Sequence, residues 1–287
     1  MSTNNNLTIG EILAKTIPYL AEKKLPNPRL EADLMLAHVL DMPRVKIYSE
    51  WDRPLNAAEV QNYREILRQR VQGIPLAYLT GSKAFLSWDF KVTPAVLIPR
   101  PDTEILIETV VAALKDRGPV SGADIGTGSG IIAITLAKLL PESRWVAVDV
   151  SETALAVAQA NAVQLGVGDR VEFCQGDLVE PLINRPVPLD AIVSNPPYIP
   201  TVQLTQLQTE VQNEPRLALD GGPDGLDVYR RLLPTAFPLL KTGGLVAVEH
   251  GFDQRPAITE IMAGLGMTVT SCPDLAGNDR VTVGRKR

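Results

Sequence analysis

Apolar positions recur at helical spacing through the first 80 residues. Ile9, Ile12, Leu13, Ile17 and Leu20 share one face, with Pro18 inside the pattern, which predicts a helix kinked or interrupted at that proline. Asn27-Pro28 has the form of an N-cap followed by proline at the first helical position. Leu30, Leu34, Ala37, Val39 and Leu40 carry the apolar face behind it. Asn56 and Glu59 have capping-box spacing ahead of Val60, Tyr63, Leu67 and Val71. No strand pattern occurs here, so residues 1–80 read as a small all-α bundle.

The pattern then changes. In "SKAFLSWDFKVTPAVLIP", aromatic and β-branched residues alternate with polar ones, which predicts a β-hairpin linker over residues 81–100. A helix follows, with Asp102 or Thr103 near its cap. From Val120 onward strands alternate with helices. The expected strands are Val120–Ile125, Arg144–Asp149, Val171–Gln175, Ala191–Ser194 and Leu245–Glu249, with helices over 131–140, 153–165 and 227–240. Such alternation implies a mainly parallel sheet covered on both faces, an α/β domain over 101–287. "MTVTSCPDLAGNDRVTVGR" reads as two further strands in a hairpin, expected to make one edge strand antiparallel.

The chain has 287 residues, 45% of them hydrophobic, and a formal net charge of -5. Residues 1–80 are near neutral, the acidic excess lies beyond them, and no lysine- or arginine-rich run occurs. That argues against a nucleic-acid partner. Cys174 and Cys272 lack metal-type spacing and fall in strand-like stretches, where buried structural thiols are expected. With only His38 and His250 besides, no metal site is expected. No apolar run approaches the ~20 residues of a membrane span. The polar start "MSTNNNLT" lacks a leader pattern. A cytoplasmic monomer without a membrane partner is the expectation.

"ADIGTGSGIIAITLA" places Gly126, Gly128 and Gly130 after a strand and before a helix. A dinucleotide fingerprint wants glycine or alanine where Ile131 stands, and a phosphate loop wants a lysine that is missing. The loop therefore suits a ligand approached by backbone but lacking a pyrophosphate. Asp149 ends the next strand, about 20 residues on, where a carboxylate can accept from both ribose hydroxyls of a nucleoside. In "QGDL", Asp177 can accept from an adenine amino group, and Leu178 can pack on the base or offer its N–H to a ring nitrogen. Each acid alone could be a helix cap, but together at successive strand ends they read as a nucleoside site. The arrangement resembles the class I S-adenosylmethionine-dependent methyltransferases over residues 120–287. That resemblance implies a Rossmann-like seven-stranded sheet with a reversed last strand, and S-adenosylmethionine lying across the first strand ends.

In "SNPPYIP", two prolines follow Asn195 at the end of an apolar run. Amide and exocyclic amine nitrogens are poor nucleophiles because their lone pairs are delocalised. A site that accepts both NH2 hydrogens holds the nitrogen and favours pyramidalisation. Asn195 offers a side-chain carbonyl and Pro196 a stiffened backbone carbonyl for that purpose. Tyr198 can pack on a planar substrate group and face a cationic sulfonium, at roughly 0.5–2 kcal/mol. No general base is required. In related families this motif marks enzymes that methylate adenine N6 or a glutamine side-chain amide.

"NPRLEADLMLAHVL", "PLAYLTGSKAF", "VLIPRPDTE", "DIGTGSG", "VSNPPYIP", "NEPRLALDGGPDGLDVYR" and "DLAGNDRVTVGR" together resemble the peptide-chain release factor N5-glutamine methyltransferase family over nearly the whole chain. The resemblance implies methylation of the glutamine in the Gly-Gly-Gln motif of class 1 release factors, with the helical domain docking that partner. It assigns the substrate to Asn195, Pro196, Pro197 and Tyr198. It assigns S-adenosylmethionine, and its product S-adenosylhomocysteine, to Gly126, Thr127, Gly128, Ser129, Gly130, Asp149, Asp177, Leu178 and Asn195. A ribosomal-protein glutamine is the nearest alternative substrate, and a nucleic-acid adenine a more distant one. Asp102 stands where the family often has glutamate, and Ala84 where it often has an acid. Arg100 and Glu104 either border the site or form an interdomain salt bridge. Asp220–Leu226 is either a substrate-side loop or a turn before a helix. No catalytic role is assigned to Glu249 or His250.

Overall fold

The computed structural model of the chain describes residues 7–185, 188–274 and 276–287. The polar start over residues 1–6, and Leu275 within the final turn-rich loop, lie outside the described residues. Two compact units emerge. One runs to Gly81 and takes in Thr209–Asn213; the other holds Ser82–Gln208 and Glu214–Arg287.

The first unit is helical: α1 Ile9–Glu22, α2 Pro28–Val39, α3 Arg44–Ser49, α4 Ala57–Val71 and α5 Leu76–Thr80. α4 begins with the expected capping box: Glu59 N–H donates to Asn56 Oδ1 (2.9 Å) and Asn56 N–H to Glu59 Oε2 (2.8 Å). A second box, Thr8 with Glu11, starts α1 and went unread in the sequence. α1 runs through Pro18 unbroken, contrary to expectation. Pro18 and Ala14, whose carbonyl loses its partner there, are both exposed, so water can satisfy the freed oxygen while Leu13 and Leu20 stay packed. Asn27 precedes α2 as expected, but it sits at φ 46° and its side chain makes no capping bond. Ile9, Leu13, Leu20, Met35, Leu36, Ile47, Leu55 and Tyr63 form the apolar core.

A buried ion pair crosses this core's edge. Arg70 donates to Glu31 through Nε (2.6 Å) and Nη2 (3.0 Å), and both residues are almost fully buried. Its Nη1 also reaches Glu210 at 3.1 Å, which joins the short helix Thr209–Gln212 to the helical unit.

The second unit opens with a hairpin, β1 Ser82–Phe85 and β2 Trp88–Lys91. Asn161 binds it by accepting from Lys91 N–H (2.7 Å) and donating to Lys91 O (3.0 Å). The remaining strands are β3 Ser121–Ile125, β4 Arg144–Asp149, β5 Val171–Gln175, β6 Leu189–Ser194, β7 Leu240–Glu249, β8 Thr268–Pro273 and β9 Asp279–Arg285. Their spatial order is β5-β4-β3-β6-β7-β9-β8. β9 is antiparallel to both neighbours, so the last strand is reversed, as expected. It is not the edge strand, however: β9 inserts between β7 and β8, and β8 forms the edge. β9 is buried over Val281–Val283, whereas β8 has no buried residue, and apolar burial draws β9 inward. Cys174 and Cys272 are only half-buried, not buried as expected, because β5 and β8 are the two outer strands.

Helices cover both faces. α6 Thr103–Leu114, α7 Ile131–Leu139 and α8 Glu152–Gln164 share one core with Ala147, Val193 and Ala247 of the sheet. α9 Asp227–Ala236 and α10 Arg255–Gly264 share the other with Val148, Ile192 and Val248. Alternate residues of each strand thus serve opposite cores, as the two-residue repeat of a strand requires. No helix among the described residues is long and apolar enough to cross a membrane.

Breaking a buried pair by removing one partner strands a charge, at roughly 3–5 kcal/mol. Arg70→Met is therefore expected to destabilise the helical unit by about that amount in urea unfolding, and Glu31→Leu added to it to recover most of the loss. A single-variant loss below about 1 kcal/mol would contradict this account of the pair.

Candidate active site

The strand registers bring specific residues to one edge. Ile125 pairs with Val148 and Ser194, Asp149 with Gln175, and Ser194 with Val248. The carboxyl ends of β3 to β7 therefore line up. Strand order reverses direction between β3 and β6, where a crevice opens in sheets of this kind. A cavity of about 400 Å³ lies there, lined by the glycine loop, Asp149, Gly176–Leu178, Ser194–Pro197, Arg100 and Thr103. All of its lining residues belong to the second unit.

Two of the three loop glycines are bare toward open space. Gly126 (φ 73°) and Gly128 (φ 55°) adopt left-handed backbone, and a Cβ on either would meet nothing within 4 Å. Gly130 serves packing instead, since a Cβ there would lie 2.7 Å from Ile134 and 3.0 Å from the Ala158 Cβ. Asp149 staples the loop to the start of α8. Its Oδ2 accepts from Gly128 N–H (2.8 Å) and its Oδ1 from Ser151 N–H (2.9 Å). Ser129 offers its carbonyl to Asn161 Nδ2 at 2.8 Å.

Asp124, unread in the sequence, underlies the loop. Its Oδ2 accepts from Thr127 Oγ1 (2.6 Å) and Ala133 N–H (3.1 Å), while its Oδ1 is buried without a partner. Burial pushes its carboxyl up to about 7, against the pull of the two hydrogen bonds. The available signal was the one charged residue of the strand Ser121–Ile125, two residues before the first loop glycine.

Asp177 forms an ion pair with Arg231, and both side chains are more than half exposed at the cavity. Leu178 sits at φ 50°, a left-handed conformation that costs a branched residue of order 1–3 kcal/mol. Asp149, Asp177 and Leu178 all line the cavity, with the half-exposed Val150 between them.

At the tip of β6, Ser194 Oγ donates to Ile125 O (2.6 Å) and locks the two strand ends together. Asn195, Pro196 and Pro197 line the cavity. Asn195 Nδ2 donates to Thr103 Oγ1 (3.2 Å), and Thr103 Oγ1 donates to Glu249 Oε2 (2.8 Å). Thr103 and Glu249 are almost wholly buried. Burial pushes the Glu249 carboxyl up to about 7, opposed by the Thr103 hydrogen bond and the Arg280 guanidinium.

Tyr198 is absent from the cavity lining and packs against the core that holds Tyr229. Burial, with Glu249 adding, pushes its phenol up to about 12, so it stays neutral. Its carbonyl accepts from Gln254 Nε2 at 2.9 Å. The Asp220–Leu226 loop packs onto this turn. A Cβ at Gly221 would lie 2.8 Å from Pro197 O, and one at Gly225 would lie 2.3 Å from Tyr198 O. The loop is thus a backbone support for the turn, and neither glycine can be replaced without displacing it. The loop was singled out in the sequence, but its glycines' contacts with this turn and the role of Gln254 were not, because their partners are distant backbone atoms.

The charged residues around the site pair among themselves. Arg100 lines the cavity and bridges the buried Glu214 within the second unit, so its bridge is not interdomain. Arg280 pairs with Asp102 and Asp274, each at 3.2 Å. Glu104 does not line the cavity. His250 is buried, with its ring nitrogens at Gly251 O (2.8 Å) and Thr282 Oγ1 (2.9 Å). Among the described residues, no cluster of His, Cys, Asp and Glu could hold a metal ion.

Asp124 carries a stability consequence. An unfolded aspartate ionises near pH 4, whereas the folded one keeps its proton to about pH 7. Between those values the folded state binds more protons, so Asp124 makes stability fall as pH rises through that window. Asp124→Asn should flatten the decline of melting temperature between about pH 5 and 7. An unchanged slope would refute the assignment.

The PrmC N-terminal domain family matches residues 11–81, and the methyltransferase small domain family residues 101–222. A release factor glutamine methyltransferase of Moorella thermoacetica is 45% identical over 98% of this chain and 99% of its own. One of Geobacter sulfurreducens is 45% identical over 97% and 96%. Among solved structures, a methyltransferase from Pyrococcus furiosus superposes with a TM-score of 0.54 at 22% identity, covering 79% of this chain and 98% of its own. The catalytic domain of hMettl16 gives 0.57 at 16%, covering 77% and 82%. These last two share the fold of the second unit's sheet. Full-length identity of this degree, over both units and the cavity between β3 and β6, places the chain in the release factor glutamine methyltransferase family.

Proposed function

We propose that this protein transfers a methyl group from S-adenosylmethionine to the side-chain amide nitrogen of the glutamine in the Gly-Gly-Gln motif of class 1 release factors. The observation that carries this reading is the shared cavity. The bare backbone of Gly126 and Gly128 and the carboxamide of Asn195 line the same space, and the Asn195 NH2 is already committed to Thr103. That commitment leaves Asn195 Oδ1 as an acceptor for a substrate NH2. The full-length relatives bear the matching name.

The residues fit the cofactor. Gly126 and Gly128 leave room that any side chain would fill. A carboxylate has about four lone-pair sites, so Asp149 keeps capacity for ribose hydroxyls after its two backbone bonds. Leu178 and Val150 offer apolar surface to a base, and Asp177 offers a carboxylate beside Arg231. Thr127, Ser129 and Gly130 hold the loop's shape. When bound, S-adenosylmethionine supplies an electrophilic methyl group on a cationic sulfonium.

The chain's own residues then prepare the nucleophile. Asn195 Oδ1 and Pro196 O accept the two glutamine amide hydrogens, which fixes the nitrogen and favours a pyramidal lone pair. Pro196 and Pro197 stiffen the carbonyl direction. Tyr198 lies outside the cavity lining, so its part is to hold the turn through its carbonyl, and as a neutral phenol it does not act as a base. With the cofactor bound, the nitrogen would form one bond to the methyl carbon as the S–CH3 bond breaks and its electron pair returns to sulfur, leaving S-adenosylhomocysteine, and the nitrogen would release one proton to solvent. Positioning supplies most of the rate gain. The helical unit docks the release factor, and a cytoplasmic location follows from that partner.

Incubation with a recombinant release factor should add one methyl group to the Gly-Gly-Gln peptide by mass spectrometry, and Gln→Ala there should abolish it. Methylation of another residue would refute the substrate. Asn195→Ala should lower kcat about 5- to 150-fold, the effect of leaving a donor unpaired at 1–3 kcal/mol, while S-adenosylhomocysteine affinity by calorimetry stays within about twofold. Gly128→Ala should do the reverse. It introduces strain at φ 55° and fills the cradle, so S-adenosylhomocysteine affinity should fall by about tenfold or more. Unchanged affinity would remove the loop from the cofactor site.

A further inference from the structure

We propose that Thr103 and Glu249 are positioning residues that set which end of the Asn195 carboxamide faces the substrate. The inference rests on the proposed amide-methylating function.

A primary carboxamide has a donor end and an acceptor end of nearly equal size. Asn195 is only half-buried, so packing alone does not choose between the two. With NH2 outward, it would offer donors to a substrate group that is itself a donor. A directional hydrogen-bond chain makes the choice. When ionised, Glu249 can only accept, so its Oε2 takes the single hydroxyl hydrogen of Thr103 at 2.8 Å. The threonine oxygen is then left with lone pairs, and it accepts from Asn195 Nδ2 at 3.2 Å. Asn195 Oδ1 is therefore the end left over for the substrate.

Burial strengthens the constraint. Thr103 is 2% exposed and Glu249 1%, so water does not compete readily for either bond. The chain's frame is rigid on both sides. Thr103 is the first residue of α6, and Glu249 is the last of β7, whose carbonyl also accepts from Tyr229 Oη at 2.7 Å. Three elements distant in sequence thus meet at one hydrogen-bond chain. Thr103 acts through Asn195 and needs no contact with the reacting atoms.

Steady-state methylation of a recombinant release factor by the full chain tests this. Thr103→Val keeps shape but removes the relay oxygen, and kcat is expected to fall about tenfold or more with KM nearly unchanged. Thr103→Ser restores the hydroxyl and is expected to recover most of the loss. In an Asn195→Ala background, Thr103→Val is expected to add nothing, since residues acting through one another are non-additive. Melting temperature and S-adenosylhomocysteine affinity are read in parallel. The inference is overturned if Thr103→Val matches the wild type, if serine fails to rescue, if the double variant loses the full product of both effects, or if Thr103→Val loses S-adenosylhomocysteine binding. An active wild type with such results sinks this inference alone, whereas an inactive wild type sinks the proposed function with it.

Discussion

Hydrogen bonds have a direction, and the site at the sheet's carboxyl edge depends on that direction being settled before any substrate arrives. Asn195 can present either end of its amide. A neighbouring hydroxyl with one hydrogen, already given to a buried carboxylate, leaves only one arrangement without conflict. The rest of the unit is arranged so that these three side chains meet. Asn195 directly follows the tip of β6, α6 starts at Thr103, and β7 ends at Glu249. Parallel register between β6 and β7 brings the two strand tips level, and Ser194 ties β6 to β3.

The glycine loop meets a different demand by similar means. Its backbone must be bare on one side and held on the other. Asp149 holds it from the adjacent strand tip and Asp124 from beneath. A carboxyl group suits both places because its oxygens can accept from more than one N–H or O–H donor at once. The cost differs. Asp149 is only partly buried, whereas Asp124 is fully buried and retains its proton far above the usual aspartate range. Stability is given up there for the shape of a loop whose open face is required elsewhere.

The turn after Asn195 shows how backbone, more than side chains, shapes this edge. Gly221 and Gly225 approach the carbonyls of Pro197 and Tyr198 more closely than any Cβ allows. Gln254 bonds the Tyr198 carbonyl from another helix boundary. The prolines remove two donors from the turn, and Gln254 satisfies the Tyr198 carbonyl. In the helical unit, the Glu31–Arg70 pair plays a comparable organising part, with Glu210 drawn in from a distant stretch of chain.

Local chemistry was legible in the sequence. Helical spacing located the bundle, alternation located the parallel sheet, and the glycine and NPPY motifs located two sides of one cavity, because each depends on residues within a few positions of one another. Asn56 with Glu59 formed its box, since a capping box spans one turn. What tertiary structure alone decided involves partners far apart in the chain. β9 lies inside the sheet because burial along its length draws it there. Pro18 leaves its helix intact because its face meets water. Tyr198 stands outside the cavity, Asp124 beneath the loop, and Thr103 with Glu249 behind Asn195, since a side chain's surroundings are set by which strands become neighbours and not by its own sequence context.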